Sequence, residues 1–187
     1  MKKPFLQGKL DYFCGLYSIA NSLKKITDHS FNEYQPMVFA RLLEKLIDLK
    51  AIYNIERKGI ASSTMQRLFP VLKRLLHNDY DINIEVLQPF SNRYVTIDNI
   101  REYLGQKNST ILLAIQQNRG MKHWSSVRSI NKTTIMFDDS WVWNSIKLSE
   151  VGSIYEFSSL FVIRKVENKC QNKLHSKSTS KKLSKTS

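Results

Sequence analysis

Three short stretches of this chain hold residue types from which thiol chemistry can be built. Cys14 lies in LDYFCGLYSIANSL (10–23), between an aromatic residue and a glycine at the head of an apolar run. A thiol attacks as the thiolate, so a nucleophilic cysteine needs a helix N-terminus or a nearby imidazole to favour the anion. The helix predicted to begin at about residue 13 offers its dipole. Of the four histidines, His29, His77 and His175 fall in turn or tail contexts, whereas His123 opens a predicted strand and precedes Trp124. Orienting its imidazole requires an acceptor for the second ring nitrogen. The next strand, TIMFDDSW (134–141), ends in Asp138 and Asp139. Strand alternation sends these two carboxylates to opposite faces, so one can meet His123 while the other turns to solvent or a turn. An oxyanion needs donors, and the Cys14 N–H together with a side-chain amide such as Gln7 would supply them.

Taken singly, each residue has a plain structural reading. Cys14 can be a small buried thiol, His123 a satisfied strand histidine, and Asp-Asp-Ser a turn. Trp124, Trp141 and Trp143 can line a substrate cleft or simply pack beneath the sheet. What joins the residues is their order: an amide, then a cysteine opening the first helix, then a histidine on a strand, then an aspartate closing the next.

The elements that must position them follow from periodicity. Phe13, Leu16, Tyr17, Ile19, Ala20, Leu23 and Ile26 form the stripe of an amphipathic helix over 13–26. A second helix is expected over 36–50, with Pro36 in its first turn. A third is expected around 63–77, where Ser63 and Gln66 read as a capping box and Pro70 as a kink or a fresh start. INIEVL (82–87) alternates as a strand, and TIDNIREYLG (96–105) reads as a short capped helix ending at Gly105. Four β-branched or aromatic runs follow, at 110–116, 123–130, 133–139 and 158–164, with a tight hairpin at SINKTT. Helices followed by an antiparallel sheet make the fold class α+β, with the first helix packed on the sheet.

With 187 residues, 42% of them hydrophobic, the chain is long enough for one domain with a real core. It is expected to form a single domain over 1–164, with a mostly helical insert at about 30–108, followed by a basic, disordered tail over 165–187. No run approaches the ~18 apolar residues of a membrane helix, and the N-terminus lacks the apolar core of a signal peptide. The expected location is the cytoplasm, or delivery by a specialised secretion machine. Two cysteines, Cys14 and Cys170, make neither a disulfide framework nor zinc-ligand spacing, and no metal or cofactor is expected. About half of the net charge of +13 lies in residues 164–187, where eight Lys/Arg face one acid, leaving +6 for the first 163 residues. Such a tail suits an anionic partner, nucleic acid or lipid, or serves only to solubilise.

On three blocks the sequence resembles the papain-like cysteine peptidases, in particular compact bacterial members such as the leader-cleaving peptidase domains of bacteriocin exporters. The blocks are QGKLDYFCGLYSIAN (7–21), KHWSSVRSI (122–130) and IMFDDSW (135–141). The resemblance implies a papain-like fold with Cys14 as nucleophile, His123 as base and Gln7 as an oxyanion donor. DSW is similar to the family's NSW, which makes Asp139 rather than Asp138 the orienting acid. Gln7 precedes Cys14 by seven positions, one more than the family's commonest spacing, and residues 30–108 match no part of the family. The implied activity is cleavage of a peptide or isopeptide bond in a protein or peptide substrate. Two alternatives stay open: a deamidase or acyltransferase on the same scaffold, acting as an effector or toxin, and a non-catalytic peptide-binding module.

Overall fold

The computed structural model describes residues 13–27, 31–51, 59–91, 95–118, 122–139 and 144–167. Helix α1, Cys14–Ile26, forms where the apolar stripe predicts it, burying Leu16, Ile19, Ala20, Leu23 and Ile26. It lies between a β-sheet and a second layer of helices. Helix α2, Phe31–Asp48, sets Val38, Leu42 and Leu46 into the same core at i, i+4, i+8 spacing. It begins five residues before the expected start, so Pro36 sits inside the helix rather than in its first turn. There the proline has no N–H for the i→i−4 bond to residue 32, a cost that the buried Val38, Leu42 and Leu46 offset.

Helix α3, Ser62–Tyr80, also departs from expectation in detail. Its N-cap is Ala61, with no side-chain cap, so the Ser63–Gln66 capping box does not form. Ser62, the first helical residue, instead shares a 2.6 Å hydrogen bond with Ser159 of the sheet. The helix runs on through Pro70 as one element. Buried Met65, Leu68 and Phe69 before the proline, and Leu72, Leu75 and Leu76 after it, hold both halves to one core. His77, expected in a turn, belongs to the last turn of this helix.

Six antiparallel strands follow: β1 Asn83–Ser91, β2 Ser109–Gln117, β3 Lys122–Ile130, β4 Thr134–Asp138, β5 Ser145–Lys147 and β6 Tyr155–Val166. Their spatial order is β1-β6-β2-β3-β4-β5. The β3–β4 hairpin closes through Asn131, whose side-chain oxygen accepts from the N–H groups of Thr133 and Thr134. Helix α4, Ile97–Leu104, is capped by Thr96 through a reciprocal bond with Asn99 and ends at Gly105, as the sequence predicts. It covers the sheet face away from α1, packing Ile100 with Ile111, Leu113, Val127, Phe137 and Val162. The other face meets α1 and α3 through Leu112, Ala114, Trp124, Phe161 and Ile163, and α2 packs on those two helices. The α+β class is thus observed, with a sheet covered on both sides. Strand β5 and the 3₁₀ turn Leu148–Glu150 behind it carry no periodicity long enough to predict. No helix among the described residues is long and apolar enough to cross a membrane.

Candidate active site

Cys14 is the first residue of α1 and is 5% exposed. Phe13 forms the N-cap at φ −86°, ψ 27°, without a side-chain cap, and its carbonyl accepts from Leu16 and Tyr17 N–H. The N–H groups of Cys14 and Gly15 therefore belong to the set that has no acceptor within the helix. Gly15 is needed for packing: a Cβ there would stand 3.0 Å from both Ile60 Cδ1 and Met65 Sδ. The segment leading into α3 thus closes flush against the first turn of α1.

His123 is the second residue of β3, opposite Ile115 of β2, and Asp139 follows the last residue of β4. His123 Nε2 lies 2.6 Å from Asp139 Oδ2, and both residues are buried. The Cys14 side chain is the second group that acts on the imidazole, through hydrogen bonding and charge that both favour the protonated ring. Burial is the largest single influence on this imidazole and by itself lowers its pKa. The hydrogen bonds to Asp139 and Cys14, with the negative charge of both groups, together outweigh it and push the pKa up from 6.5 to about 9. At neutral pH the ring is an imidazolium held between a carboxylate and a sulfur.

The neighbouring carboxylate goes elsewhere. Asp138 Oδ1 accepts from Arg128 Nε at 2.7 Å, and the Asp138 carbonyl accepts from Asn21 Nδ2 of α1 at 3.1 Å. Alternation thus separates the two aspartates, leaving Asp139 on His123. Trp124 packs in the core, stacked on Phe161 at 5.5 Å, and donates its indole N–H to the Ile60 carbonyl at 2.6 Å. Gln7, His29, Trp141, Trp143, Cys170 and His175 lie outside the described residues. No group of three or more His, Cys, Asp or Glu able to hold a metal occurs among the described residues.

A cavity of about 760 Å³ opens near Lys122, the first residue of β3, and is lined by none of Cys14, His123 and Asp139. Val95, Val151, Tyr155 and Phe157 supply apolar wall, with Lys122 and Glu156 as its charged members. Phe157 pairs with Ile115, which in turn pairs with His123. At about 4.8 Å between strands, the cavity wall stands roughly 10 Å from the imidazole strand, the span of about three extended residues. Asn21, Arg128 and a set of serines on α1 were not among the residues singled out from the sequence. The signal of Asn21 and the serines was present as polar residues recurring within an otherwise apolar helix; Arg128, on β3, carried no such signal. No protein-family model, curated protein or solved structure matches the chain.

Proposed function

We propose that the chain is a papain-like cysteine peptidase that cleaves a peptide or isopeptide bond in a protein substrate. The observation that carries this reading is the 2.6 Å bond between Asp139 and His123, on an imidazole whose pKa Cys14 also raises, with that sulfur on the first residue of a helix. A carboxylate that fixes the imidazole, an imidazole that exchanges a proton with the thiol, and a helix start that favours the anion are together what nucleophilic thiol catalysis requires.

In the reaction the Cys14 thiolate attacks the substrate carbonyl, and the oxygen that gains charge is met by the Cys14 N–H, with Gln7 as second donor. His123 gives its proton to the leaving amine, whose C–N bond breaks to leave a thioester on Cys14. The now neutral imidazole takes a proton from water, whose oxygen attacks the thioester; the C–S bond breaks, releasing the acid and restoring the Cys14 thiolate beside the imidazolium.

The test is to incubate the full chain with a mixture of peptides and follow products by mass spectrometry, with Cys14→Ala as control. New N-termini that depend on Cys14 support a peptidase. Ammonia release or acyl exchange without chain cleavage would replace this reading by the deamidase or acyltransferase. No turnover, with a thiol as slow as a free cysteine, would leave a binding module.

A further inference from the structure

The side of α1 that meets β3 and β4 is polar, where a helix laid on a sheet is ordinarily apolar. Ser18, Asn21, Ser22 and Lys25 continue the stripe that starts at Cys14, at i+4, i+7, i+8 and i+11. Ser18 Oγ lies 2.7 Å from the Cys14 carbonyl and 2.6 Å from the Trp124 carbonyl. Ser22 Oγ donates to Ser126 Oγ at 3.0 Å. Lys25 Nζ donates to the carbonyls of Val127 and Arg128 at 3.1 Å each. Asn21 Nδ2 reaches the Asp138 carbonyl, in the peptide that leads into Asp139. Ser18, Asn21, Ser22 and Ser126 are buried, so these bonds form where water does not compete.

The partners advance together: residues 18, 22 and 25 of the helix meet 124, 126 and 127–128 of the strand. Seven helical residues rise about 10 Å, and three strand residues cover the same distance. Carried back four residues from Ser18, the same ratio moves two residues back from Trp124, which sets Cys14 level with Lys122 and His123. Apolar packing is non-directional and tolerates a slide along the helix axis. A hydrogen bond weakens steeply beyond its normal length and angle.

We propose that this polar seam is the positioning device of the site. Ser18, Ser22 and Lys25 lock the axial register of α1 on β3 and so hold Cys14 beside His123, while Asn21 holds the peptide that carries Asp139. These are positioning residues, and the inference rests on the peptidase reading of Cys14 and His123.

The experiment uses the full chain with Ser22→Ala/Ser126→Ala, which removes both partners and leaves no buried orphan, and with Asn21→Leu. The readouts are the rate of Cys14 alkylation by iodoacetamide at pH 7, the His123 titration by NMR, and kcat and KM on a cleaved peptide. In variants that still unfold cooperatively, alkylation and kcat are expected to fall tenfold or more with KM within about twofold. The His123 midpoint should move down from its wild-type value. Lys25→Met, at a more exposed position, provides a variant that keeps the buried serines, with an expected loss of about threefold. Wild-type alkylation and titration in folded variants would overturn the inference while leaving the peptidase reading intact. If His123→Ala leaves the wild-type alkylation rate unchanged, the peptidase reading and the inference fall together.

Discussion

His123 Nε2 and Asp139 Oδ2 stand 2.6 Å apart, with the aspartate side chain 1% exposed and the histidine 11%. A charge-assisted bond this well shielded is strong, and the Cys14 side chain is the other group that raises the pKa of the same ring. The next carboxylate along the chain, Asp138, is committed to Arg128 at 2.7 Å.

Replacing Asp139 by Asn should lower the His123 pKa from about 9, because a neutral amide supplies no opposing charge to offset burial. A histidine whose folded pKa lies above its unfolded value of 6.5 contributes stability that is complete below pH 6.5 and lost as the pH rises through 9. Denaturant unfolding of the wild type should therefore weaken between pH 6.5 and 9, by on the order of 3 kcal/mol. Asp139→Asn should show a flatter profile over the same interval, and a profile parallel to wild type would contradict the assignment.

Cys14→Ala removes the other group that raises the imidazole pKa, and its hydrogen bond ranks below that of Asp139. The His123 NMR midpoint should fall in this variant too, and by less than in Asp139→Asn. The reverse ranking would mean that the sulfur, not the carboxylate, governs the ring.

On peptide hydrolysis, Cys14→Ala should abolish turnover while the circular dichroism spectrum is unchanged, and Cys170→Ala should have no effect. Loss of activity in the second variant rather than the first would displace the nucleophile from α1.

Gly15→Ala sets a Cβ 3.0 Å from Ile60 Cδ1 and Met65 Sδ. Overpacking costs about 1–3 kcal/mol, whereas the helix propensity of alanine returns about 1 kcal/mol. The net expectation is a loss of about 1 kcal/mol in urea unfolding, with slower alkylation of the adjacent Cys14. A stabilised variant would show that the 60–65 segment yields without strain.

Trp124→Phe leaves the Ile60 carbonyl without its indole donor and opens space beside Phe161. A loss of about 2–4 kcal/mol is expected from the unmet acceptor and the cavity together. Alkylation of Cys14 per folded molecule should hardly change, which would separate core packing from the thiol chemistry.

Much of the local structure was legible in the sequence because its causes are local. The apolar stripe of α1, the Thr96 and Gly105 ends of α4, and the β-branched and aromatic runs of β2, β3 and β4 are each written within a few turns or one strand. The opposed directions of Asp138 and Asp139 follow from the pleat alone. Which of the two would meet His123 was not decided by the pleat, because Arg128 and Asn21 claim Asp138 only once β3 and α1 are in place.

Other features depended on distant partners. Ser63–Gln66 had the pattern of a cap, yet the helix starts one residue earlier, where Ser62 meets Ser159, 97 residues away. The strand order β1-β6-β2-β3-β4-β5 pairs Asn83 with Val166, a match that no local period contains. The polar residues of α1 were hidden for the same reason. Ser18, Asn21, Ser22 and Lys25 in a sequence read as a solvated face, and only the docked sheet supplies the carbonyls and hydroxyl that make them a seam, buried at Ser18, Asn21 and Ser22. Residue types and their periodicity determined the elements and offered Cys14, His123 and Asp139 as candidates. The tertiary structure alone decided their meeting, because hydrogen bonds across 100 residues of chain exist only after the layers have packed.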